Sequence, residues 1–303
     1  MPRPWDDRFL NKNNPWRRPM FVVAGVTGHV GSVVARTLLA KGEKVRVIVR
    51  DSRKSEAWSP QGGEVSIGSL DDPQFLKGAF RGASGAFVLV PSNLMAKDFY
   101  AYQCGIADAI ASAVKAASVP HVAMLSSIGA DLDRGNGPIR GLHYLEERLR
   151  EAGTVLTAIR ASYFQENVAN SLGAARQAGI FPNLMPSADY AFPMIATKDI
   201  GTLAAERLMA RPKKSEVIDL HGPPYSIRQV AEKLGDAIGR KLRILDVPEA
   251  GWVEAMTQGG LSQHMAEVYA EMYRGFASGA IQPKGDRLVQ GETRIDEVIR
   301  GLV

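Results

Sequence analysis

One stretch, FVVAGVTGHVGSVVARTLLAKG from Phe21 to Gly42, limits the possible folds of this chain more than any other. It is an apolar run, a cluster of small residues, and a second apolar run carrying Arg36. Two architectures produce such a pattern. One is the hydrophobic segment of an export signal behind Arg17 and Arg18; the other is a strand, turn and helix that hold a phosphate. An export signal needs an unbroken apolar stretch and a small-residue cleavage site. Here Gly25, Gly28, His29 and Gly31 break the run, Arg36 sits inside its second half, and no clear Ala-x-Ala site follows.

The second architecture accounts for each interruption. Met20 to Ala24 reads as a short buried strand, and Ser32 to Lys41 as a helix with Val33, Val34, Thr37 and Leu38 at helical spacing. Between them lies a GxxGxxG turn. Gly25 permits the tight exit from the strand, Gly28 keeps side-chain atoms away from a pyrophosphate, and Gly31 lets helix and strand approach. Thr27, His29 and Val30 complete the candidate phosphate loop, whose free N–H groups lie at the positive end of the helix dipole. The following strand, KVRVIV from Lys44 to Val49, ends at Arg50, 19 residues beyond Gly31 (50 − 31). An acidic residue at about that distance holds the ribose hydroxyls of NAD, whereas an arginine suits a 2′-phosphate. Arg50, with Arg53 and Lys54 behind it, therefore favours NADPH over NADH. Arg50 also fits a plain solvated turn, and Asp51 beside it fits a ribose.

Strand and helix continue to alternate. Val65 to Ile67, Ala86 to Val90, Val122 to Leu125 and Val155 to Ile159 read as strands, with helical stretches near 72–80, 97–118 and 139–152. This rhythm predicts an α/β fold, a doubly wound parallel sheet with helices on both faces. With 303 residues and 45% apolar content, one large domain and a smaller lobe are expected. The divisions are an extension over 1–18, with Trp5 and Trp16 as possible anchors, a dinucleotide-binding domain over 19–160, and a substrate or lid lobe over 161–303 partly interleaved with the sheet.

Charge and cysteine usage exclude other classes. The net charge of +5 comes from basic residues scattered along the chain, which argues against a nucleic-acid footprint. No stretch approaches the roughly 18 apolar residues of a membrane span. Cys104 is the single cysteine, so no internal disulfide and no cysteine metal site is expected, and a reducing cytoplasm fits. The expected partner is a small-molecule substrate, and the expected state a monomer or homodimer.

Ligands of such sheets bind at the carboxyl ends of the strands. The segments leaving those ends are Pro91-Ser92-Asn93, Ser126-Ser127-Ile128-Gly129 and Ala161-Ser162-Tyr163-Phe164. Pro91, Ser92, Ser126, Ser127, Tyr163 and Phe164 are thus candidates to line the cofactor path, though they also suit surface turns.

Together GVTGHVG, the arginine after the second strand, HVAMLSSIGAD, LHYLEERLREAGTVLTAIRASYFQENV and FPMIATKDIGTLAAERL resemble the NmrA-like group of atypical short-chain dehydrogenase/reductases. The similarity runs from about Pro19 into the low 250s. It implies a Rossmann domain and NADP preference, and a family divided between reductases, notably of quinones, and redox-sensing regulators that bind dinucleotide without turnover.

Short-chain reductases use Ser with Tyr and Lys four residues apart, the tyrosine protonating the carbonyl that receives hydride. Here Tyr144 is followed by Arg148, and Ser126 or Ser127 ends the preceding strand. An arginine one helical turn away would lower the phenol's pKa, although EERLRE is also an ordinary charged helix face. His143 is the rival acid, with an intrinsic pKa nearer neutrality; it lies one position out of register with the histidine of the resembling quinone reductases. Glu147 stands where the reductase members carry lysine.

Tyr163, Phe164, Asn167, Ser127 and Phe192 are the expected substrate-contacting residues, the aromatics serving equally as core. The proline-punctuated stretch from Phe181 through Tyr190 to Met194 suits a cover over a flat aromatic substrate or a seam between lobes. A helix over Ser262–Phe276, with Met265, Val268, Tyr269 and Met272 on one face, is read as a lid or a packing helix. The functional expectation is an NADPH-dependent oxidoreductase of a small planar carbonyl, quinone or enone, with proton relay from His143, Tyr144 or water. The competing expectations are a dinucleotide sensor and a redox-neutral isomerase that retains its cofactor.

Overall fold

The computed structural model describes residues 19–303; the extension read over 1–18, with Arg17, Arg18 and both tryptophans, lies outside the described residues. The chain first builds β1 (Met20–Val23), α1 (His29–Ala40), β2 (Lys44–Val49), β3 (Glu64–Ile67), α2 (Pro73–Phe80), β4 (Gly85–Val88) and α3 (Phe99–Ala116). β5 (His121–Ser127), α4 (Arg140–Glu151), β6 (Val155–Ala161) and β7 (Tyr163–Phe164) follow. Then come α5 (Leu172–Ala178), β8 (Ile180–Asn183), β9 (Ala191–Ile195), α6 (Thr197–Ala210), β10 (Glu216–His221), β11 (Pro224–Ser226) and α7 (Ile227–Ile238). β12 (Arg243–Asp246), α8 (Trp252–Gln258), α9 (Gln263–Ala277), β13 (Arg287–Gln290) and α10 (Ile295–Arg300) complete it.

Eight strands form one parallel sheet in the order β3-β2-β1-β4-β5-β6-β10-β13. This is the doubly wound α/β fold that the alternation predicts. The sheet is covered on both faces, which is why β1 and β4 read as unbroken apolar runs instead of alternating. One face carries a core of Val22, Leu76, Phe80, Ile110, Met124, Leu145 and Leu149 under α2, α3 and α4. The other carries Val23, Val34, Leu38, Phe87, Ile200 and Leu208 under α1 and α6. Winding reverses between β1 and β4, and that topological switch point is where an open α/β sheet leaves a crevice for a ligand.

Two differences from the sequence reading matter. α1 begins at His29, three residues before the expected Ser32, so the helix opens inside the glycine turn. β10 and β13 extend the main sheet beyond β6, with Arg160 in register with Asp219 and Asp219 with Leu288. The remaining C-terminal strands make small sheets, β7-β9-β11 and β8-β12, over a separate core that includes Met194, Tyr225, Val230, Leu234 and Ile295. Among the described residues no helix is long and apolar enough to cross a membrane.

Candidate active site

The glycine turn lies at the switch point, and its helix starts bare. Gly28 is the N-cap of α1, in extended conformation with no capping side chain, and the first turn carries no acidic residue. The first N–H groups of any helix lack intrahelical partners. In α2, α3, α7 and α9 these are answered by Asp72, Asp98, Ser226 and Ser262. In α1, as in α4, α5, α6, α8 and α10, no side chain of the N-cap residue answers them.

The three glycines do three different things. Gly25 adopts φ +68°, a left-handed turn that lets Gly28 N–H donate to its carbonyl at 3.0 Å. A Cβ on Gly31 would overlap the carbonyl oxygens of Gly25 and Ala24, so this glycine serves the close contact of helix and strand. A Cβ on Gly28 would meet nothing nearer than the Gly25 oxygen at 3.4 Å. Packing within the protein therefore does not demand glycine at position 28. Thr27 and His29 are exposed beside it, while Val30 is buried beneath the loop.

Arg50 leaves β2 exposed and makes no hydrogen bond or ion pair among the described residues. Arg53 is instead tied to Asp51, whose Oδ2 accepts from Nη2 at 2.7 Å. That bond is the largest cause holding the Asp51 carboxyl below its usual range. Asp51 also caps the following turn by accepting from the Arg53 backbone N–H at 2.9 Å, so the alternative ribose ligand is already engaged. Lys54 stands exposed in the same turn. Arg50 lies within electrostatic range of Tyr102 on α3, whose phenol is raised first by burial and then drawn down by that cation.

At the carboxyl ends of β4, β5 and β6 the expected residues separate into two groups. Pro91 is half-buried and Ser92 exposed as the chain leaves β4. Ser126 and Ser127 point to opposite faces of the sheet: Ser126 Oγ donates to Glu146 Oε1 at 2.6 Å, and Ser127 Oγ to the Ile128 carbonyl at 3.1 Å. Ser126 is buried, so its hydroxyl serves a carboxylate in the protein interior. His143 Nδ1 lies 2.9 Å from the Ala130 carbonyl, which makes Nδ1 the protonated nitrogen and leaves Nε2 as the free one. The Tyr144 hydroxyl donates to Asp108 Oδ1 at 3.1 Å on α3, and Arg148 Nε donates to the same oxygen at 2.8 Å. Arg148 lowers the Tyr144 phenol as expected, but it does not decide the net shift. Burial, followed by the bond to Asp108, raises the phenol's pKa, and the arginine's contribution is outweighed.

Tyr163, Asn167 and Phe192 do come together. Tyr163 and Phe192 meet edge to face with centroids 5.5 Å apart, and Phe192 stacks on the exposed Tyr190 at 6.4 Å. Burial raises the Tyr163 phenol, and the Asn167 side chain opposes that rise by hydrogen bonding to it. Phe164 packs against the core under α1 and α6, in register with Ile195. Phe181 and Met194 belong to the separate core of the small sheets and Met185 and Phe192 pack against it, while Tyr190 is exposed.

The sequence reading missed a buried ionic cluster: Arg160 donates Nε to Glu146 Oε1 at 3.0 Å and Nη2 to Oε2 at 2.8 Å. Asp131 lies 3.9 Å from Arg160 Nη1 and holds Lys284 at 3.1 Å. Burial raises the nearby Asp219 carboxyl. A charged residue inside the apolar strand VLTAIRA was the available signal. The helix read over Ser262–Phe276 is α9, and it packs across the loop leaving β5. Glu271 accepts from Gly135 N–H at 2.8 Å, His264 Nε2 accepts from Phe99 N–H at 3.2 Å, and Met272 joins Ile128, Ala130 and Ile139.

An uncapped helix start at the switch point of a doubly wound sheet, with a cation after β2 and an aromatic pair after β6, is the arrangement of a nucleotide-binding α/β protein. The model of the NmrA-like family matches residues 19–299, and the chain belongs to that family. It is 28% identical over 255 residues to an NAD(P)H azoreductase of Xenophilus azovorans, covering 84% of this chain and 86% of that one. It is 24% identical to quinone oxidoreductase 2 of Escherichia coli, covering 86% and 90%. Among solved structures, triphenylmethane reductase of Citrobacter sp. complexed with NADP(H) superposes with a TM-score of 0.78 at 20% identity, covering 94% of this chain and all of that one (100%). The NADPH complex of the Escherichia coli quinone oxidoreductase gives 0.77 at 22% identity, covering 93% and 99%.

Proposed function

We infer that this protein is an NADPH-dependent oxidoreductase that reduces a small planar acceptor of the carbonyl, quinone or enone class. The observation that carries the reading is the uncapped start of α1, with open space at Gly28 and the unpartnered Arg50 nearby. The named activities of the relatives, on azo compounds and quinones with NAD(P)H, support it.

In this reading the main chain of Gly25, Thr27, Gly28, His29, Val30 and Gly31 holds the pyrophosphate, and Arg50 with Lys54 holds the 2′-phosphate. Three strand-to-strand steps of about 4.8 Å carry the site roughly 14 Å from β1 to the exit of β6. Pro91, Ser92, Ser127, Tyr163 and Phe164 line that path, and the lobe over 161–303 supplies the acceptor's side of the cleft. When bound, NADPH supplies the hydride. The chain's residues orient both molecules, and the aromatic wall of Tyr163 and Phe192 excludes water from the transfer.

A second reading, a dinucleotide sensor without turnover, is favoured by Glu147 standing where reductases carry lysine and by the engagement of Ser126 and Tyr144 within the protein. Following NADPH absorbance with 1,4-naphthoquinone, an azo dye and a triphenylmethane dye separates the two. Acceptor-dependent loss of absorbance is expected. Tight NADPH binding with no such loss would establish the sensor instead.

A further inference from the structure

The loop between β5 and α4 is built around one buried amide. Asn136 is completely buried. Its Nδ2 donates to the Gly129 carbonyl at 3.0 Å and to the Leu132 carbonyl at 2.8 Å, so both amide hydrogens grip the chain on either side of Ala130. Its Oδ1 is sealed from water and accepts from nothing among the described residues. A buried acceptor without a partner is costly, so the amide serves here through its two donors. The neighbours Gly135 and Gly137 adopt φ +73° and +55°, left-handed values that suit glycine and turn the Asn136 side chain inward.

Helix α9 backs this loop. Glu271 accepts from Gly135 N–H at 2.8 Å. A Cβ on Gly137 would overlap the Val268 carbonyl oxygen, and one on Gly275 the Gly135 carbonyl oxygen, so loop and helix touch main chain to main chain. Ile281 packs with Ile128, Ala130 and Ile139. The loop in turn meets α4. The Ala130 carbonyl, between the two gripped positions, lies 2.9 Å from His143 Nδ1.

Of the proton donors that the sequence nominates, Ser126 and Tyr144 commit their hydroxyl protons to Glu146 and Asp108. His143 keeps an uncommitted atom: its Nε2 has no partner among the described residues and is not sealed from water. With a carbonyl opposite Nδ1, the proton of the neutral ring sits on Nδ1, and Nε2 is the atom that takes up and releases a second one.

We propose that Asn136 is a positioning residue that fixes, through the Ala130 carbonyl, the tautomer and aim of His143, whose Nε2 passes the proton in the reduction. The proposal rests on the reductase reading for its chemical step. In that step the acceptor gains two electrons and one hydrogen as the cofactor's hydride, and a proton from Nε2 of the imidazolium. The Nε2–H bond breaks, an O–H bond forms on the acceptor, and neutral His143, still donating Nδ1–H to Ala130, regains a proton from water. Without the grip of Asn136 the carbonyl leaves Nδ1, and the ring reverts to the Nε2–H form that an unconstrained neutral imidazole prefers.

The test reads the His143 ring directly, by long-range proton–nitrogen correlation spectra of ¹⁵N-histidine-labelled protein in alkaline buffer, with His143→Gln to assign its signals. The wild type is expected to show the Nδ1–H tautomer, and Asn136→Ala a shift toward Nε2–H. Glu271→Ala, which removes only the bond to Gly135, is expected to move the ring the same way and decides the matter if Asn136→Ala does not fold. With NADPH and 1,4-naphthoquinone, His143→Gln is expected to lower kcat about a hundredfold. Asn136→Ala should lower it roughly tenfold with KM within about twofold, and the double variant should be no slower than His143→Gln alone. An Nε2–H tautomer in the wild type would overturn the proposal. So would a folded Asn136→Ala, or in its absence Glu271→Ala, with the wild-type ring. A double variant slowed by both effects in full would show that Asn136 acts apart from His143, and would overturn it too. An active wild type matched by an equally active His143→Gln would overturn the proton step and leave the reductase reading intact. A protein that sets the tautomer through Asn136 but oxidises no NADPH would overturn the proton step together with the reductase reading, and would leave the positioning standing.

Discussion

Glu146 of α4 and Arg160 of β6 meet as a two-bond fork, at 3.0 and 2.8 Å, with both side chains buried. The same carboxylate accepts from Ser126 of β5 at 2.6 Å and from Arg150 at 3.0 Å. Burial opposes the charge on Arg160, and Glu146 together with Asp131 and Asp219 outweighs it, so the guanidinium's pKa rises. The helix that carries His143 is thereby fixed to β5 and β6 near their carboxyl ends.

Removing one partner leaves a buried charge unanswered. Glu146→Ala is expected to destabilise the protein by about 3–5 kcal/mol, read as a lower urea midpoint. The double variant Glu146→Leu/Arg160→Leu is expected to lose less than the sum of the two single variants. A Glu146→Ala protein as stable as the wild type would show that the fork contributes little.

His121 gives the stability a pH dependence. Burial first, and Arg207 second, hold its pKa down to about 4, against an ordinary value of 6.5, with Glu216 opposing. Its Nε2 lies 3.0 Å from Thr157 Oγ1. Between those values the unfolded chain binds the proton and the folded one does not, so stability rises with pH. The contribution is complete above pH 6.5 and is lost as pH falls toward 4, by an amount of order 3 kcal/mol. Urea midpoints at pH 4.5 and 7.5 should differ less in His121→Gln than in the wild type.

Gly31 and the cofactor cation separate stability from binding. Gly31→Ala places its Cβ against main-chain oxygens and is expected to cost about 1–3 kcal/mol of stability. Arg50→Ala touches no partner among the described residues and is expected to leave the urea midpoint unchanged. Its NADPH dissociation constant should rise about 10- to 100-fold, the worth of a charge-assisted hydrogen bond, while that for NADH moves little. Equal losses for both cofactors would show that Arg50 does not read the 2′-phosphate.

The sheet was legible because each local unit declares itself: VVAGVTGHVG as strand, turn and helix, KVRVIV as a strand, and the later runs at regular intervals. The addition of β10 and β13 was not, since pairing of Arg160 with Asp219 joins residues 59 positions apart (219 − 160) that share no local pattern. The fates of Ser126, His143 and Tyr144 were equally hidden. Residue type marks a possible donor, but only packing shows that Tyr144 turns toward Asp108 and that Ser126 turns toward Glu146. Glu146 read as one charge in EERLRE because helix periodicity does not say which charge faces Arg160.

The most direct test is a calorimetric titration of the wild type and Gly28→Asp with NADPH, alongside their urea midpoints. Aspartate is a good N-cap residue, so stability should hold or rise by a few tenths of a kcal/mol. Its carboxylate would take the N–H groups left for the phosphate, and NADPH affinity should fall by roughly a hundredfold or more. A wild type that does not bind NADPH, or a Gly28→Asp protein that binds it as tightly as the wild type, would contradict the account.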